Sequence, residues 1–141
     1  MILYLDTSAL IKRYILEDGS ADVVGWMKDA ELIGVSLVTR VEMVSALTRA
    51  IRGNRLPSDE GVEALDEFRA QWTDFQHINI DDALIVRADL LAVAYGLKGY
   101  DAVQLACALT WKDLLNVPVK FATYDVELYS AARKSGLDIL P

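Results

Sequence analysis

Short apolar runs with strand character alternate along this chain with longer segments of helical periodicity. Five strands are predicted, at residues 2–5, 33–37, 77–80, 119–122 and 138–140. Seven helices are predicted, at residues 8–16, 21–30, 39 to the Gly53-Asn54 pair, 58–75, 81–95, 101–115 and 126–134. Strands separated by helices need crossover connections, and these favour parallel pairing. We therefore expect an α/β fold with a mostly parallel five-stranded sheet flanked by helices on both faces.

The chain shows no internal repeat, low-complexity tract or Pro/Ser-rich linker, so residues 1–141 are predicted to form one domain. The two consecutive helices between the second and third strands form a helical hairpin, which is the one irregular insertion. No apolar run approaches the ~20 residues that a membrane span needs. The N-terminus reaches Asp6 without a basic segment, which excludes a signal peptide and favours a cytoplasmic protein.

The charge and the scarcity of cysteine and histidine restrict the kinds of ligand. Lys and Arg number 14 against 21 Asp and Glu, a formal net charge of −7. Sequence-independent binding along nucleic acid is therefore not expected, because proteins that bind in this way present basic surfaces. An enzyme that reaches a phosphodiester through metal ions remains compatible with this charge. Cys107 and His77 are the only residues of their types, which excludes an intrachain disulfide and a zinc-finger site.

Four acidic residues occupy equivalent places in the predicted fold. Asp6 directly follows the first strand, and Glu42 lies in the first turn of the helix after the second strand. Asp101 begins a predicted helix, and Asp125 follows the fourth strand after a two-residue step. The carboxyl ends of parallel strands and the N-termini of the following helices share one edge of the sheet, where such folds bind ligands. We therefore expect these four carboxylates at one edge.

Helix capping is the alternative explanation for each acid taken singly. Asp is a favoured N-cap residue, and the Thr39-Arg40-Val41-Glu42 segment matches a capping box with Glu42 at the third helical position. Capping does not require the four residues to meet, however. Two carboxylates ~5 Å apart repel each other by roughly 3 kcal/mol at an effective dielectric constant of 20. A convergent set therefore indicates a bound cation, and oxygen ligands without His or Cys suit Mg²⁺ or Mn²⁺.

Four segments of the chain carry a resemblance to a known family. They are Leu5-Asp6-Thr7-Ser8-Ala9-Leu10, Thr39-Arg40-Val41-Glu42, Tyr100-Asp101-Ala102-Val103-Gln104-Leu105-Ala106, and Ala122-Thr123-Tyr124-Asp125 with the later Ala131-Ala132 and Gly136-Leu137. In order and spacing over nearly the whole chain they resemble PIN-domain ribonucleases, and more narrowly the VapC-like toxins of toxin–antitoxin pairs. The small hydroxyl residues of the family's site fall on Ser8 and Thr123.

The resemblance also implies which acids bind metal. The family's metal-binding acids fall on Asp6, Asp101 and Asp125, and Glu42 completes the quartet. A cation held by Asp6 and Asp101 would activate water for attack on phosphorus. A second cation, if recruited by Asp125 and Glu42, would stabilise the leaving 3′ oxygen. Whether one or two ions act is left open.

The activity and partners expected from the resemblance are specific. It implies a Mg²⁺- or Mn²⁺-dependent endoribonuclease that acts on RNA, forms a homodimer and is held inactive by a cognate antitoxin protein. A haloacid-dehalogenase-like phosphatase would need a second Asp two residues after Asp6, where Ser8 stands. A receiver domain would need an adjacent acidic pair after the first strand, which is absent. A non-catalytic PIN-like domain that binds RNA or protein is the remaining alternative, and the complete acidic quartet argues against it.

A stripe of arginines follows the second predicted strand. The arginine stripe comprises Arg40, Arg49, Arg52 and Arg55, which with Glu42 give residues 39–55 a net charge of +3. The next predicted helix is rich in acidic residues, so the two helices could form a hairpin with complementary solvent-facing charges. Alternatively, Arg40, Arg49 and Arg52 contact RNA phosphates or a partner protein. Salt-dependent RNA binding distinguishes the two interpretations.

Overall fold

The central sheet of the computed structural model, which describes residues 1–141, has five strands. The strands are β1 (Ile2–Leu5), β2 (Leu32–Ser36), β3 (Gln76–Ile78), β4 (Lys120–Ala122) and β5 (Asp138–Leu140). They are arranged in the order β3-β2-β1-β4-β5, and all four neighbouring pairs are parallel. The predicted α/β fold with a parallel five-stranded sheet is confirmed.

Seven α-helices surround the sheet. They are α1 (Thr7–Leu10), α2 (Ser20–Asp29), α3 (Val38–Arg52), α4 (Ser58–Gln71), α5 (Asp82–Tyr95), α6 (Gly99–Leu115) and α7 (Val126–Lys134). Single 3₁₀ turns extend α1 over Ile11–Arg13 and α4 over Trp72–Asp74. None of these helices combines the length and hydrophobicity that crossing a membrane would require.

Three helix boundaries differ by two or more residues from the sequence prediction. The helix expected at 8–16 is wrong beyond Arg13, because Ser20 Oγ accepts a hydrogen bond from Glu17 N and donates one to Ile15 O. These bonds hold this segment in the turn that precedes α2. The helix expected at 58–75 ends at Gln71 before its 3₁₀ turn. Helix α6 begins two residues before Asp101, which therefore lies within the first turn and not at its start.

The strands bury side chains on both faces of the sheet, as expected for a sheet covered twice. On one face, the rings of Tyr4 and Phe121 stack with centroids 5.4 Å apart and pack in a cluster with α5, α6 and α7. On the other face, Leu3 and Leu5 pack in a cluster with α1, α3 and α4. Successive side chains of β1 point to opposite faces of the sheet, so this strand contributes to both halves of the core.

The strand order creates a switch point at β1. The chain runs from β1 outward through β2 and β3, and it then returns to place β4 on the opposite side of β1. Connections leaving β1 and β4 therefore diverge at the carboxyl edge of the sheet, which is where open α/β sheets bind ligands. Asp6 and Thr123 are the first residues after these two strands.

Candidate active site

Asp6 lies at the switch point and is 4% exposed. Its backbone N–H donates a hydrogen bond to Ala122 O of the neighbouring strand β4 at 3.1 Å. Its carboxylate Oδ2 accepts hydrogen bonds from Ser8 Oγ at 2.6 Å and from Thr123 Oγ1 at 2.9 Å. Burial raises the pKa of Asp6, and these hydroxyl donors act in the opposite direction because they stabilise the charged form. The side chain is thus a buried carboxylate with a fixed orientation.

The two hydroxyl residues connect the ends of β1 and β4. Ser8 Oγ accepts from Tyr124 N at 2.9 Å, and Thr123 Oγ1 accepts from Asp125 N at 3.1 Å. The two hydroxyl oxygens lie 3.2 Å apart. Each hydroxyl therefore donates to the Asp6 carboxylate and accepts from the chain that leads into α7, which places both beside the acid that the sequence predicted.

Helix capping accounts for part of the acidic set. Asp125 is the N-cap of α7, where its Oδ1 accepts from Leu128 N at 2.8 Å. Asp6 is the N-cap of α1, where its Oδ2 accepts from Ser8 N at 3.3 Å. The capping alternative is therefore correct in structural terms for these two residues. It does not account for Asp101 and Glu42, neither of which is an N-cap.

Asp101 is the acid whose ionisation is most affected by the other three. Burial is the largest cause, followed by the negative charges of Asp125, Asp6 and Glu42, and together they raise the pKa of Asp101 to about 6. The positive charge of Lys98 lowers it by less. The charges of the other three acids thus act on Asp101, as expected for acids that share one edge of the sheet.

Glu42 does not form the capping box that the sequence suggested. The N-cap of α3 is Leu37, so Thr39 and Glu42 are not at the cap and third helical positions. Glu42 Oε1 instead accepts from Gln104 Nε2 at 2.8 Å and from Thr7 Oγ1 at 3.1 Å. Burial raises the pKa of Glu42, and these two donors oppose the rise. The side chain is therefore oriented by α6 and α1, towards the other acids.

Gln104 is a site residue that sequence reasoning did not select. It is fully buried on α6 and accepts a hydrogen bond from the Tyr4 hydroxyl at 2.7 Å. Its Nε2 donates to Glu42 and also to Thr39 Oγ1 at 3.0 Å. The available signal is its position three residues after Asp101, within a helix segment that is otherwise apolar from Ala102 to Leu109. A polar residue there must find partners in the core.

The order of these elements can be compared with known families. The family model described as PIN domain matches residues 3–135. The chain belongs to the PIN domain family. Ribonuclease VapC35 of Mycobacterium tuberculosis is 33% identical to this PIN domain over 144 residues, which cover 99% of this chain and 96% of that relative.

Solved structures share the fold of this PIN domain. PAE2754 from Pyrobaculum aerophilum superposes with a TM-score of 0.70 at 21% identity, over 99% of this chain and 89% of that chain. A toxin–antitoxin complex from Klebsiella pneumoniae gives a TM-score of 0.64 at 20% identity, over 100% and 97% of the respective chains. These similarities show that the fold is common to the three proteins.

The donor set of this PIN domain fits a hard divalent cation in its chemistry. All four acids and both hydroxyl residues offer oxygen, the element that Mg²⁺ and Mn²⁺ prefer. The negative charges of Asp125, Asp6 and Glu42 contribute to the raised pKa of Asp101, an effect that a bound cation would counteract. No group of three or more His, Cys, Asp or Glu side chains is arranged to hold an ion by itself. A cation here would therefore need water or a substrate oxygen among its ligands, as is usual for Mg²⁺.

The arginines of the stripe have different surroundings in the structure. The guanidinium of Arg40 lies 5.4 Å from the centre of the Trp72 ring, a cation–π contact. Arg49 and Arg52 are exposed on the second half of α3. None of the four arginines takes part in an ion pair, since the four ion pairs of the chain involve other residues. The helical hairpin is therefore not held by paired charges.

Proposed function

We propose that this PIN domain is a divalent-metal-dependent endoribonuclease that hydrolyses RNA phosphodiester bonds. The observation that carries the proposal is the placement of four acids at the carboxyl edge of the sheet. Thr123 hydrogen-bonds both the Asp6 carboxylate and Asp125 N, and Thr7, the residue after Asp6, donates to Glu42. The negative charges of the other three acids also contribute to the raised pKa of Asp101. Such an arrangement opposes folding unless a cation compensates the charge. The name Ribonuclease of a relative that covers almost the whole chain supports RNA as the substrate.

In this proposal Asp6, Asp101 and Asp125 would hold Mg²⁺ or Mn²⁺ together with water or a substrate oxygen, because no three acidic side chains are arranged to hold an ion by themselves. A cation bound there would supply activation of water and neutralisation of the phosphodiester charge. Ser8 and Thr123 keep the Asp6 carboxylate in one orientation through Oδ2.

Glu42 has a different role from the other three acids in the proposed chemistry. Its hydrogen bonds from Gln104 and Thr7 both reach Oε1. Oε2 is therefore the oxygen that can accept a hydrogen bond or a proton from water or from a substrate hydroxyl. A carboxylate whose pKa is raised by burial is better suited to accept a proton than one at its ordinary pKa.

We further propose that the protein is the toxin of a toxin–antitoxin pair and acts in the cytoplasm. The similarity to a chain of a toxin–antitoxin complex supports an antitoxin partner. An antitoxin that covers or enters the acidic edge would block access of RNA. A homodimer is also expected, and the molar mass in solution, twice that of one chain, tests it.

Cleavage of total cellular RNA by the purified protein tests the activity. With Mn²⁺ or Mg²⁺ we expect discrete cuts, which disappear with chelator and fall by about 100-fold or more in Asp101→Asn. Asp89→Asn is the matched control and should retain full activity, because Asp89 is an exposed acid of α5 whose charge is not among those that act on Asp101. Full activity of Asp101→Asn would contradict the proposal. RNA binding without any cleavage would favour the non-catalytic alternative.

A further inference from the structure

A groove lies between α3 and the start of α6 and opens beside Glu42. It has a volume of about 370 Å³, and its walls include Ser45 and Arg49 of α3 and Tyr100 of α6. Residues 42, 45 and 49 lie on one face of α3, since they are spaced by three and four positions. The groove therefore leads away from the acidic edge along one helix.

Arg49 provides a positive charge in this groove without an acidic partner. Its only side-chain hydrogen bond is from Nη1 to Ser45 Oγ at 2.8 Å. A guanidinium carries five N–H donors, so most of them remain open to a ligand. At 1.5 Å per residue, Arg49 lies about 10 Å along the helix axis from Glu42. It is thus placed to bind an anionic group near the acidic edge but not at it.

Tyr100 forms the opposite wall with an exposed aromatic side chain. Its side chain is 64% exposed, and it directly precedes Asp101 in the sequence. Proteins that bind single-stranded nucleic acid commonly stack unpaired bases on such aromatic rings. The same groove therefore offers a guanidinium for a phosphate and a ring for a base.

We propose that this groove is a subsite for single-stranded RNA, in which Arg49 binds a phosphate and Tyr100 stacks on a base next to the position of cleavage. The inference rests on the proposed function, of which it specifies the substrate contacts. RNA fits better than an acidic polypeptide, because RNA supplies both a phosphate and a planar base. An acidic polypeptide would satisfy Arg49 but would supply no planar base for Tyr100.

Arg52 makes a matched control possible. It is exposed on the same helix and carries the same charge, but it does not line the groove. General electrostatic attraction of RNA to the arginine stripe predicts similar effects of Arg49→Ala and Arg52→Ala. A phosphate bound at Arg49 predicts a large effect of the first substitution and a small effect of the second.

The experiment measures the affinity of a fluorescein-labelled single-stranded RNA of randomised sequence as a function of salt. Ca²⁺ replaces Mg²⁺ to neutralise the carboxylates, and a gel verifies that the RNA stays intact. For Arg49→Ala we expect roughly tenfold weaker binding at low salt and a salt slope smaller by about 0.7. Arg52→Ala should change the affinity by less than about twofold. Tyr100→Ala should weaken binding about tenfold with an unchanged salt slope, and Tyr100→Phe should restore it.

Several outcomes would overturn the inference. They are the absence of RNA binding by the unsubstituted protein, equal effects of Arg49→Ala and Arg52→Ala, and unchanged binding by Tyr100→Ala. Stronger Arg49-dependent binding of poly-glutamate than of RNA would assign the groove to a protein partner instead. Cleavage with Mn²⁺ is measured separately. If the protein cleaves RNA but Arg49→Ala and Arg52→Ala bind it equally, the proposed function stands and the subsite is wrong. If RNA binding depends on Arg49 and Tyr100 but no cleavage occurs, the subsite stands and the proposed function is wrong.

Discussion

Gln104 illustrates what a single residue contributes to this site. Its carboxamide joins Tyr4 of β1 to Thr39 and Glu42 of α3, across the layers of the fold. The four acids could be selected from the sequence because each follows a strand or begins a helix. Gln104 was not selected, because a polar residue in a helix is usually exposed, and its apolar neighbours in the sequence are the one sign of the burial that the packing of α6 produces.

Replacement of Gln104 by leucine should destabilise the fold strongly. Leucine keeps most of the volume but leaves the Tyr4 hydroxyl, the Thr39 hydroxyl and the Glu42 carboxylate without their shared partner. We expect the free energy of unfolding to fall by about 2–4 kcal/mol, since each buried polar group left unpaired costs about 1–3 kcal/mol. Tyr4→Phe, which removes one hydroxyl and keeps the ring, should cost about 1–2 kcal/mol. Urea denaturation measures both, and a Gln104→Leu protein as stable as the original would contradict this account.

At the scale of elements, the hydrophobic pattern predicted all five strands and all seven helices in their correct order. The pattern fixes the period and approximate length of each element, because it reflects which side chains the core buries. It did not predict where α1 and α4 end. Those ends depend on particular contacts, such as the hydrogen bonds of Ser20 with Glu17 and Ile15. The lateral order of the strands likewise depends on tertiary packing.

Helix α6 packs so closely on the sheet that one strand position accepts no side chain. A Cβ added to Gly34 of β2 would lie 2.5 Å from Cζ3 of Trp111, which is itself buried. We expect Gly34→Ala to lower the free energy of unfolding by about 1–3 kcal/mol through overpacking.

Gly25→Ala is the matched substitution for Gly34→Ala. Gly25 lies inside α2, and a Cβ there would meet no atom within 4 Å. Alanine should therefore stabilise the protein by up to about 1 kcal/mol through its higher helix propensity. Thermal or urea denaturation of both variants tests the pair. Stability changes of the same sign would show that the Trp111 contact does not control packing at β2.

The whole molecule combines a net charge of −7 with a concentrated group of acids at one edge. Burial raises the pKa values of Asp6, Glu42 and Asp101, and the other carboxylates raise that of Asp101 further. Ionisation of Asp101 at neutral pH therefore costs the folded chain stability. Strain of this kind is typical of functional sites, where the ligand relieves it.

The metal-free protein should therefore be more stable at about pH 5 than at about pH 7. Folding raises the pKa of Asp101 from 3.8 to about 6, so between these values the folded state binds more protons than the unfolded state. The stabilisation by protonation is complete below the unfolded pKa and is lost as the pH rises through the folded pKa. After allowance for solvent screening, we expect about 1 kcal/mol from Asp101 over this interval. Asp6 and Glu42 contribute with the same sign.

Urea denaturation in the presence of chelator measures this pH dependence, and substitution assigns it to the acidic edge. Asp101→Asn cannot ionise, so it should be more stable than the original protein at about pH 7 and should show a smaller gain on acidification. Asp89→Asn removes one negative charge from an exposed position and should leave the pH dependence unchanged. Addition of Mn²⁺ at about pH 7 should stabilise the original protein more than Asp101→Asn, because a cation that binds only the folded state shifts the folding equilibrium. A pH dependence that is the same in Asp101→Asn and Asp89→Asn would mean that the net charge of the molecule, and not the convergence of these four acids, determines its stability.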